Sequence, residues 1–494
     1  MPSSLALTAI IGAPLLGFFM TIVWSRAAAV VASLTSMVVL VAAVFLAVSV
    51  SAHGAVLTSL GGWDAPLGIE LAADGLSVMF MIVSGAIVLV VGAYAQHEFV
   101  HPGTETRSGF AFWPLMLVLL AALNGIFVSR DFFNLYVCFE LLTLSAVAMV
   151  TLNGKTESIT AALRYLLFAL LGSILYLLGA VLLYAQFGSL DMGVIGQSVS
   201  SSGAEILAAG LMTAGLALKT ALFPFHGWLP PAHSGAPPPA SAMLSSLVPK
   251  ASYFITIRLW FDVMPELAGN PLTLALGGLG GAAILYGSLQ AIVQTRLKMV
   301  VAYSTVAQLG YLFIVFPLAG GDSAAQPWSA GAWTGGMLHA LSHALAKSAM
   351  FLCAGLFIIS ARTDDLEALR GIAQTMPMTA FAFTLAAISL LGLPPSGGFI
   401  AKYLMLTSAF ASGGWIWAFL ILAGGLLAAL YLYRPVRIML SLPKQPGQPF
   451  KPISRWWQVA PLVLALGAVF LGIGSNEPYA LLQIGRPVAA ETGL

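Results

Sequence analysis

The stretch GGMLHALSHALAKSAMF, residues 335–351, decides how this chain is read. It is apolar apart from a few small polar residues and three titratable ones, His339, His343 and Lys347, which recur every four residues. That interval puts the three side chains on one face of an α-helix, about 12 Å from first to last at 1.5 Å per residue. The apolar run around them, residues 331–360, exceeds the ~20 residues needed to cross a bilayer core. The stretch therefore reads as a membrane-crossing helix that carries a ladder of titratable groups. Histidine exchanges protons near neutral pH, which suits a proton relay. The alternative is a pair of structural histidines bonding neighbouring helices; three groups in register favour the relay.

Outward from this stretch the composition is of one kind. Of 494 residues, 59% are hydrophobic and 8% charged, against about 45–50% and about 25% in soluble proteins. So few charges do not cover a soluble protein of this size, which excludes a soluble enzyme. A net charge of +2 excludes nucleic acid as an expected partner. Cys138 and Cys353 both lie in apolar runs and support neither a disulfide framework nor a metal cluster. There is no GxGxxG after a strand and no Walker motif. The longest polar stretches, His97–Gly109 and Pro443–Ser454, are loops too short to hold a soluble domain. No cofactor, metal site or redox centre is expected. Met1–Trp24 lacks a basic leader and reads as a retained first span.

Apolar runs predict about fourteen spans, at 5–24, 28–50, 74–95, 111–129, 132–152, 161–186, 204–226, 241–261, 271–294, 299–318, 331–360, 376–410, 413–438 and 456–474. Of the 20 Lys and Arg, thirteen, including Arg26, Lys155, Lys298, Arg434, Lys444 and Arg455, lie in or beside loops that follow odd-numbered spans. Arg130, Arg258 and Arg486 lie on the other side. By the positive-inside rule both termini are extracytoplasmic, in a multi-pass protein of the cell membrane.

Four lysines remain, all inside spans: Lys219, Lys250, Lys347 and Lys402. A charge at membrane depth is costly, faces protein or water, and marks ion or proton routes. Glu140 in the fifth span is a natural partner for Lys219 in the seventh. The alternative is a static ion pair that fixes helix packing. Prolines interrupt the chain beside these lysines: Pro224 after Lys219, Pro249 before Lys250, and Pro394–Pro395 before Lys402. Broken helices in corresponding positions of two halves point to a transporter built from inverted repeats. Here the seventh and twelfth spans correspond if repeats of five run over spans 4–8 and 9–13. Lys298 opens a polar run with Tyr303, Ser304, Thr305, Gln308 and Tyr311, and reads equally as a cytoplasmic anchor or a relay entrance. His226 and His233, in the Pro-rich HGWLPPAHSGAPPP, are weaker candidates for proton entry. Asp262, Glu266, Asp364, Asp365 and Glu367 read as solvated loop charges.

Together these residues resemble the antiporter-like subunit family shared by respiratory complex I, membrane-bound hydrogenases and Mrp-type cation/proton antiporters. The resemblance rests on DFFNLYVCFELL (131–142), ALKTALFPFHGWLPPAH (217–233), LKMVVAYSTVAQLGY (297–311), HALSHALAKSAMFLCAG (339–355) and LGLPPSGGFIAK (391–402). Within the family, GGWDAPLGIELAADGLS (61–77) and NGIFVSRDFFNLYVCFE (124–140) look most like the D-type subunit of Mrp antiporters. The segments SRDFFNLY and PPAHSGAPPPAS depart from the usual pattern.

The resemblance implies an all-α polytopic protein of fourteen helices, with inverted repeats 4–8 and 9–13 and discontinuous helices 7 and 12. It divides the chain into 1–110, 111–262, 271–440 and 455–494. It also implies a relay made of Glu140, Lys219, Lys250, His339, His343, Lys347 and Lys402, working in a complex with other membrane subunits on protons and, in the Mrp case, Na+. Glu140 is the only acid well inside a span, so direct sodium binding has little support in the residues. The same channel driven by electron transfer, as in complex I or a hydrogenase-type complex, and a non-transporting membrane scaffold are the alternatives.

Overall fold

The computed structural model describes residues 3–63, 67–100, 106–267, 269–442 and 450–486. Lys444, residues 64–66 of the GGWDAPLGIELAADGLS motif and the tail beyond Arg486 lie outside the described residues.

Three helices open the chain: α1 (Ser3–Val23), α2 (Ala28–His53) and α3 (Gly75–Phe99). Between α2 and α3 lies the exception to an all-helical chain, a two-stranded antiparallel ladder of β1 (Val56–Ser59) and β2 (Glu70–Ala73). A first set follows: α4 (Arg107–Val128), α5 (Phe132–Val150), α6 (Thr156–Phe187), the short α7 (Met192–Gly196), α8 (Gly203–Thr220), α9 (Leu229–Gly235) and α10 (Pro238–Ile257). The second set is α11 (Asn270–Val293), α12 (Leu297–Ala319), α13 (Ser329–Ala361), α14 (Pro377–Leu391), α15 (Gly397–Ala411) and α16 (Trp415–Leu440). Then come α17 (Arg455–Ile473) and the short α18 (Asn476–Gln483).

Polar residues at the span ends set where these helices start. Asp74, Thr106, Asp131 and Ser396 accept the first free N–H groups of α3, α4, α5 and α15. Ser202 and Glu205 form a reciprocal capping box on α8.

Twelve helices among the described residues are long and apolar enough to cross a membrane, with α8 and α9 joined as one span, 203–235. Two further segments bring the count to fourteen. α10 is made polar by Ser241, Ser245, Ser246, Lys250, Ser252 and Thr256, yet it is buried from Pro239 to Ile257. Surrounded by protein instead of lipid, it does not need an apolar surface. α14 and α15 have 15 residues each, too few singly for the ~20 that cross a bilayer. They flank a break at 392–396 and together make one span. The turns at Glu367–Gln374 meet α14 at 111°, so the continuation of α14 across the membrane is α15.

Both broken spans end their first half in a left-handed residue, Ala221 (φ 58°) after α8 and Gly392 (φ 83°) after α14. The packing also repeats: α6 lies on α8 and α9 as α13 lies on α14 and α15, and α5 on α6 as α12 on α13. Five spans is an odd number, so the second set enters the membrane from the opposite side and runs inverted. Glycines let α11 and α12 approach closely. A Cβ on Gly310 would come 2.9 Å from the Ile284 nitrogen, and one on Gly287 2.9 Å from the Ala307 Cα.

Burial ranks the helices. Most of α12 and α13 is enclosed by protein, whereas α1 and α2 are covered over about a third of their length. The centre of the molecule is α10, α12 and α13, and α10 and α13 carry Lys250, His339, His343 and Lys347.

Candidate functional site

α5 presents Glu140 and Thr143, three residues apart and so on one face, to the last turn of α8. The Lys219 ammonium lies 3.6 Å from the Glu140 carboxylate and donates to Thr143 Oγ1 at 3.0 Å. It also sits 4.9 Å from the centre of the Phe139 ring. Ser173 on α6 donates to the Glu140 carboxylate. The pair is lopsided, since Lys219 is buried while the Glu140 side chain keeps 22% of its surface accessible. A cavity of about 10 Å³ beside Lys219, bordered by Thr143, Tyr165 and Ala169, has room for about one water molecule.

Lys250 owes its position to the residue before it. Pro249 has no N–H, so the Ser245 carbonyl four residues back lacks its helical donor. Lys250 Nζ takes that carbonyl at 2.8 Å. Ser245 Oγ in turn lies 2.9 Å from Thr305 Oγ1 and ties α10 to α12. Thr220 Oγ1, next to Lys219, lies 2.9 Å from Ser252 Oγ, two residues past Lys250. No hydrogen bond joins the two lysines directly among the described residues.

On α13 the expected ladder is present and buried. The His339 and His343 ring centres are 6.0 Å apart, and His339 Nε2 lies 3.2 Å from the Gln308 carbonyl oxygen. Both ring nitrogens of His343 are buried without a hydrogen-bond partner. The ring stands in the field of Lys250, Lys347, His339 and Lys402 together. Lys347 Nζ donates to the Val301 carbonyl at 2.9 Å and to Ser304 Oγ. Ser304 belongs to the polar run that begins at Lys298.

Lys402 closes the line at the second break. Its Nζ donates to the Leu390 and Leu391 carbonyls, at 2.7 and 3.3 Å, which the end of α14 leaves free of helical donors. The negative end of that helix favours a cation there. The ammonium also lies 4.4 Å from the centre of the Tyr311 ring, and Tyr311 is 5.2 Å, ring to ring, from His339. Tyr311 thus bridges the break to the ladder.

A family model described as NADH:quinone oxidoreductase/Mrp antiporter, TM, matches residues 129–428, which include every group named above. The chain belongs to this family. It is 37% identical over 441 residues to NADH-quinone oxidoreductase subunit N of Desulforudis audaxviator, covering 85% of this chain and 84% of that one. It is 30% identical over 391 residues to the D-type subunit of the Na(+)/H(+) antiporter of Alkalihalophilus pseudofirmus, covering 78% and 76%. A chain in the structure of the Mrp complex from Dietzia sp. DQ12-45-1b has the same fold, with a TM-score of 0.87 over 98% of both chains at 23% identity.

In this antiporter-like membrane subunit, the two weaker sequence candidates lie near the ladder. Lys298 donates to the Ala236 carbonyl at 2.6 Å, just past α9. His233 is buried against Phe351, with both ring nitrogens unpartnered, in the field of Lys298, Lys347 and Lys250. His226 stacks instead on Phe223 and Tyr286, away from these groups.

Three of the loop charges are not simply solvated, and Glu367 among them lies 2.5 Å from Arg370. Asp364 binds Arg296 at 3.1 Å and caps the backbone N–H of Lys298 at 3.0 Å. Asp262 binds Arg258 at 2.7 Å. Glu98, near the end of α3, is a further acid that the apolar-run pattern does not single out; one carboxylate oxygen is buried without a hydrogen-bond partner, in the field of Lys298. Among the described residues no three His, Cys, Asp or Glu side chains converge to hold a metal ion.

Proposed function

We propose that this chain is a proton-translocating, antiporter-like subunit of a multi-subunit membrane complex. The observation that carries this reading is the environment of Lys250, Lys347 and Lys402. Each is at most 7% exposed, and each is held by backbone carbonyls, a hydroxyl or a ring, with no carboxylate in ion-pair contact among the described residues. Uncompensated buried cations weaken a fold, so stability alone does not account for three of them. Neutral acceptors hold an ammonium without locking its proton in place as an ion pair does.

On this reading a proton passes from the cytoplasmic side through Lys219 and Lys250 to His343, then along the ladder to Lys347 or to His339, Tyr311 and Lys402. Glu140 sets the charge state of Lys219. Lys298 and His233 supply a second cytoplasmic approach. The division at 111–262 and 271–440 assigns Glu140, Lys219 and Lys250 to one half of the route and the α13 ladder and Lys402 to the other. The excess of Lys and Arg beside loops after odd-numbered spans supports a topology with both termini outside. The experiment is replacement of Glu140 or Lys219 by Ala in the assembled complex, with proton translocation in membrane vesicles as readout. Loss is expected, and retained translocation overturns the relay.

The finer reading is the D-type subunit of an Mrp-type Na+/H+ antiporter, supported by the 61–77 and 124–140 motifs and by the similarity to the Na(+)/H(+) antiporter protein of Alkalihalophilus pseudofirmus. A redox-driven complex is the second reading, favoured by the 37% identity to a subunit N. Partners that co-purify with the native complex separate the two. Small multi-span subunits support the first, and iron–sulfur and quinone-site subunits the second.

A further inference from the structure

A sizeable cavity lies outside the relay. It encloses about 280 Å³ at the end of the molecule where α3 begins and α10 ends, and Asp74, Ser77, Phe127, Arg130, Arg258 and Asp262 border it. Its charges are tightly held. One terminal nitrogen of Arg258 lies 2.7 Å from the Asp74 carboxylate and 3.2 Å from Ser77 Oγ, while the other is 2.7 Å from Asp262. The Arg258 guanidinium also lies 5.0 Å from the centre of the Phe254 ring.

The sequence of α10 makes this an ordered stack. Ser246, Lys250, Phe254 and Arg258 recur every four residues and share one face. Arg258 is therefore about 12 Å along the helix from Lys250. α3, which packs on α10, repeats the order with Asp74, Ser77, Phe80 and Ser84. From the vestibule inward, an ion-pair layer is followed by an aromatic layer and then by a polar layer. The rings of Phe80, Phe127 and Phe254 lie 5.1–5.5 Å apart, centre to centre, and all three are buried. Behind them a cavity of about 10 Å³ is bordered by Phe80, Ser84, Phe127, Ser246 and Lys250. Phe127 thus borders both cavities, one on each side of the aromatic layer.

We propose that this stack is a closed access path from the vestibule to Lys250, plugged by Phe80, Phe127 and Phe254 and latched by Arg258 on Asp74 and Asp262. It rests on the reading of Lys250 as a proton carrier and of this end as extracytoplasmic. A ring of apolar side chains blocks water and ions by excluding them. Phe127 borders both cavities and packs on Phe80 and Phe254, so a shift of this ring cluster is the movement that would join them. The latch couples that movement to charge, because Arg258 faces Phe254 while its partner Asp74 also caps α3. An ion pair that only fastened two helices would require neither a vestibule in front of it nor a cavity at a lysine behind the rings.

The test uses the complete complex in membrane vesicles of known orientation, with Ser84→Cys as reporter and Cys138→Ala and Cys353→Ala as background. A membrane-impermeant thiol reagent is added to one face at a time. Adding Arg258→Gln should speed modification from the extracytoplasmic face by on the order of tenfold or more, the shift that about 1.4 kcal/mol of lost latch energy produces. The rate from the cytoplasmic face should not change. Phe80→Ala, which leaves the ion pair intact, should do the same and serves if Arg258→Gln does not assemble. Equal rates with and without these changes, or faster modification from both faces, overturn the gate. Repeating the measurement with Lys250→Met separates the gate from the relay. One-sided modification that persists while Lys250→Met leaves proton translocation in the same vesicles unchanged supports the gate and rejects Lys250 as carrier.

Discussion

Lys219 Nζ lies 3.6 Å from the Glu140 carboxylate, and no other lysine in the central line has a carboxylate within ion-pair distance among the described residues. Among the described residues Glu140 is therefore the one carboxylate paired with a lysine of the Lys219–Lys402 line. Glu140→Gln keeps the shape and the Ser173 contact while removing that charge. Proton translocation should fall on the order of tenfold or more, as for loss of a proton-transfer group, with the complex still assembled. Lys219→Met should also lower the melting temperature of the complex. Its cost should be about 1–3 kcal/mol, below the 3–5 of a fully buried pair because Glu140 is partly accessible. The double variant should be more stable than the two single losses added together, which a double-mutant cycle on thermal stability measures.

His343 separates structure from function. Both of its ring nitrogens are buried with no partner among the described residues, so no hydrogen bond to those residues is lost when the ring is replaced. His343→Leu, an apolar exchange, should leave thermal stability unchanged or raised. Translocation should be abolished. A melting temperature that drops with activity retained would make the histidine a packing residue.

Pro249→Ala returns an N–H to α10 and gives the Ser245 carbonyl a helical donor in competition with Lys250. The helix itself should gain, since proline costs about 3 kcal/mol in a helix interior. Translocation should fall although no titratable group has been removed. Assembly yield and proton flux measured together check this.

Tyr311 is expected to act through its ring. Its hydroxyl reaches only the Ile421 carbonyl at 3.4 Å, whereas the Lys402 ammonium sits 4.4 Å from the ring centre. Tyr311→Phe should therefore translocate nearly as well as the native chain. Tyr311→Leu should lose a contact worth about 0.5–2 kcal/mol and slow the flux several-fold. Equal rates for the two variants would remove the ring from the route.

The charges of this route are legible in the sequence because each interrupts an apolar run, and the four-residue interval by itself puts His339, His343 and Lys347 on a shared face. The two broken spans are legible too, from Pro224 and Pro394–Pro395. The groups that hold the charges are harder to read. Ser173 and Thr143 are ordinary small polar residues of membrane helices, and only the packing of α5, α6 and α8 reveals what they touch. Arg258, Asp262 and Asp364 mislead for the opposite reason. Charges near span ends look interfacial, and nothing local shows that Arg258, besides its neighbour Asp262, also holds Asp74 from a distant part of the chain. Glu98 is obscured in the same way, by its place in the last turn of α3. α10 is legible by length more than by apolarity, because a helix wholly surrounded by protein is free of the composition that lipid demands.

Three of the central lysines are docked on main-chain oxygens, at Ser245, Val301 and Leu390. A main-chain oxygen is present whatever amino acid stands at its position. Neighbouring side chains can therefore drift in evolution, or be exchanged in the laboratory, without erasing these acceptors. For Lys250 and Lys402, substitutions that mend or move the helix breaks at Pro249 and 392–396 are the ones that displace a docking point. Tolerance to substitution should follow backbone continuity more closely than side-chain chemistry around these lysines.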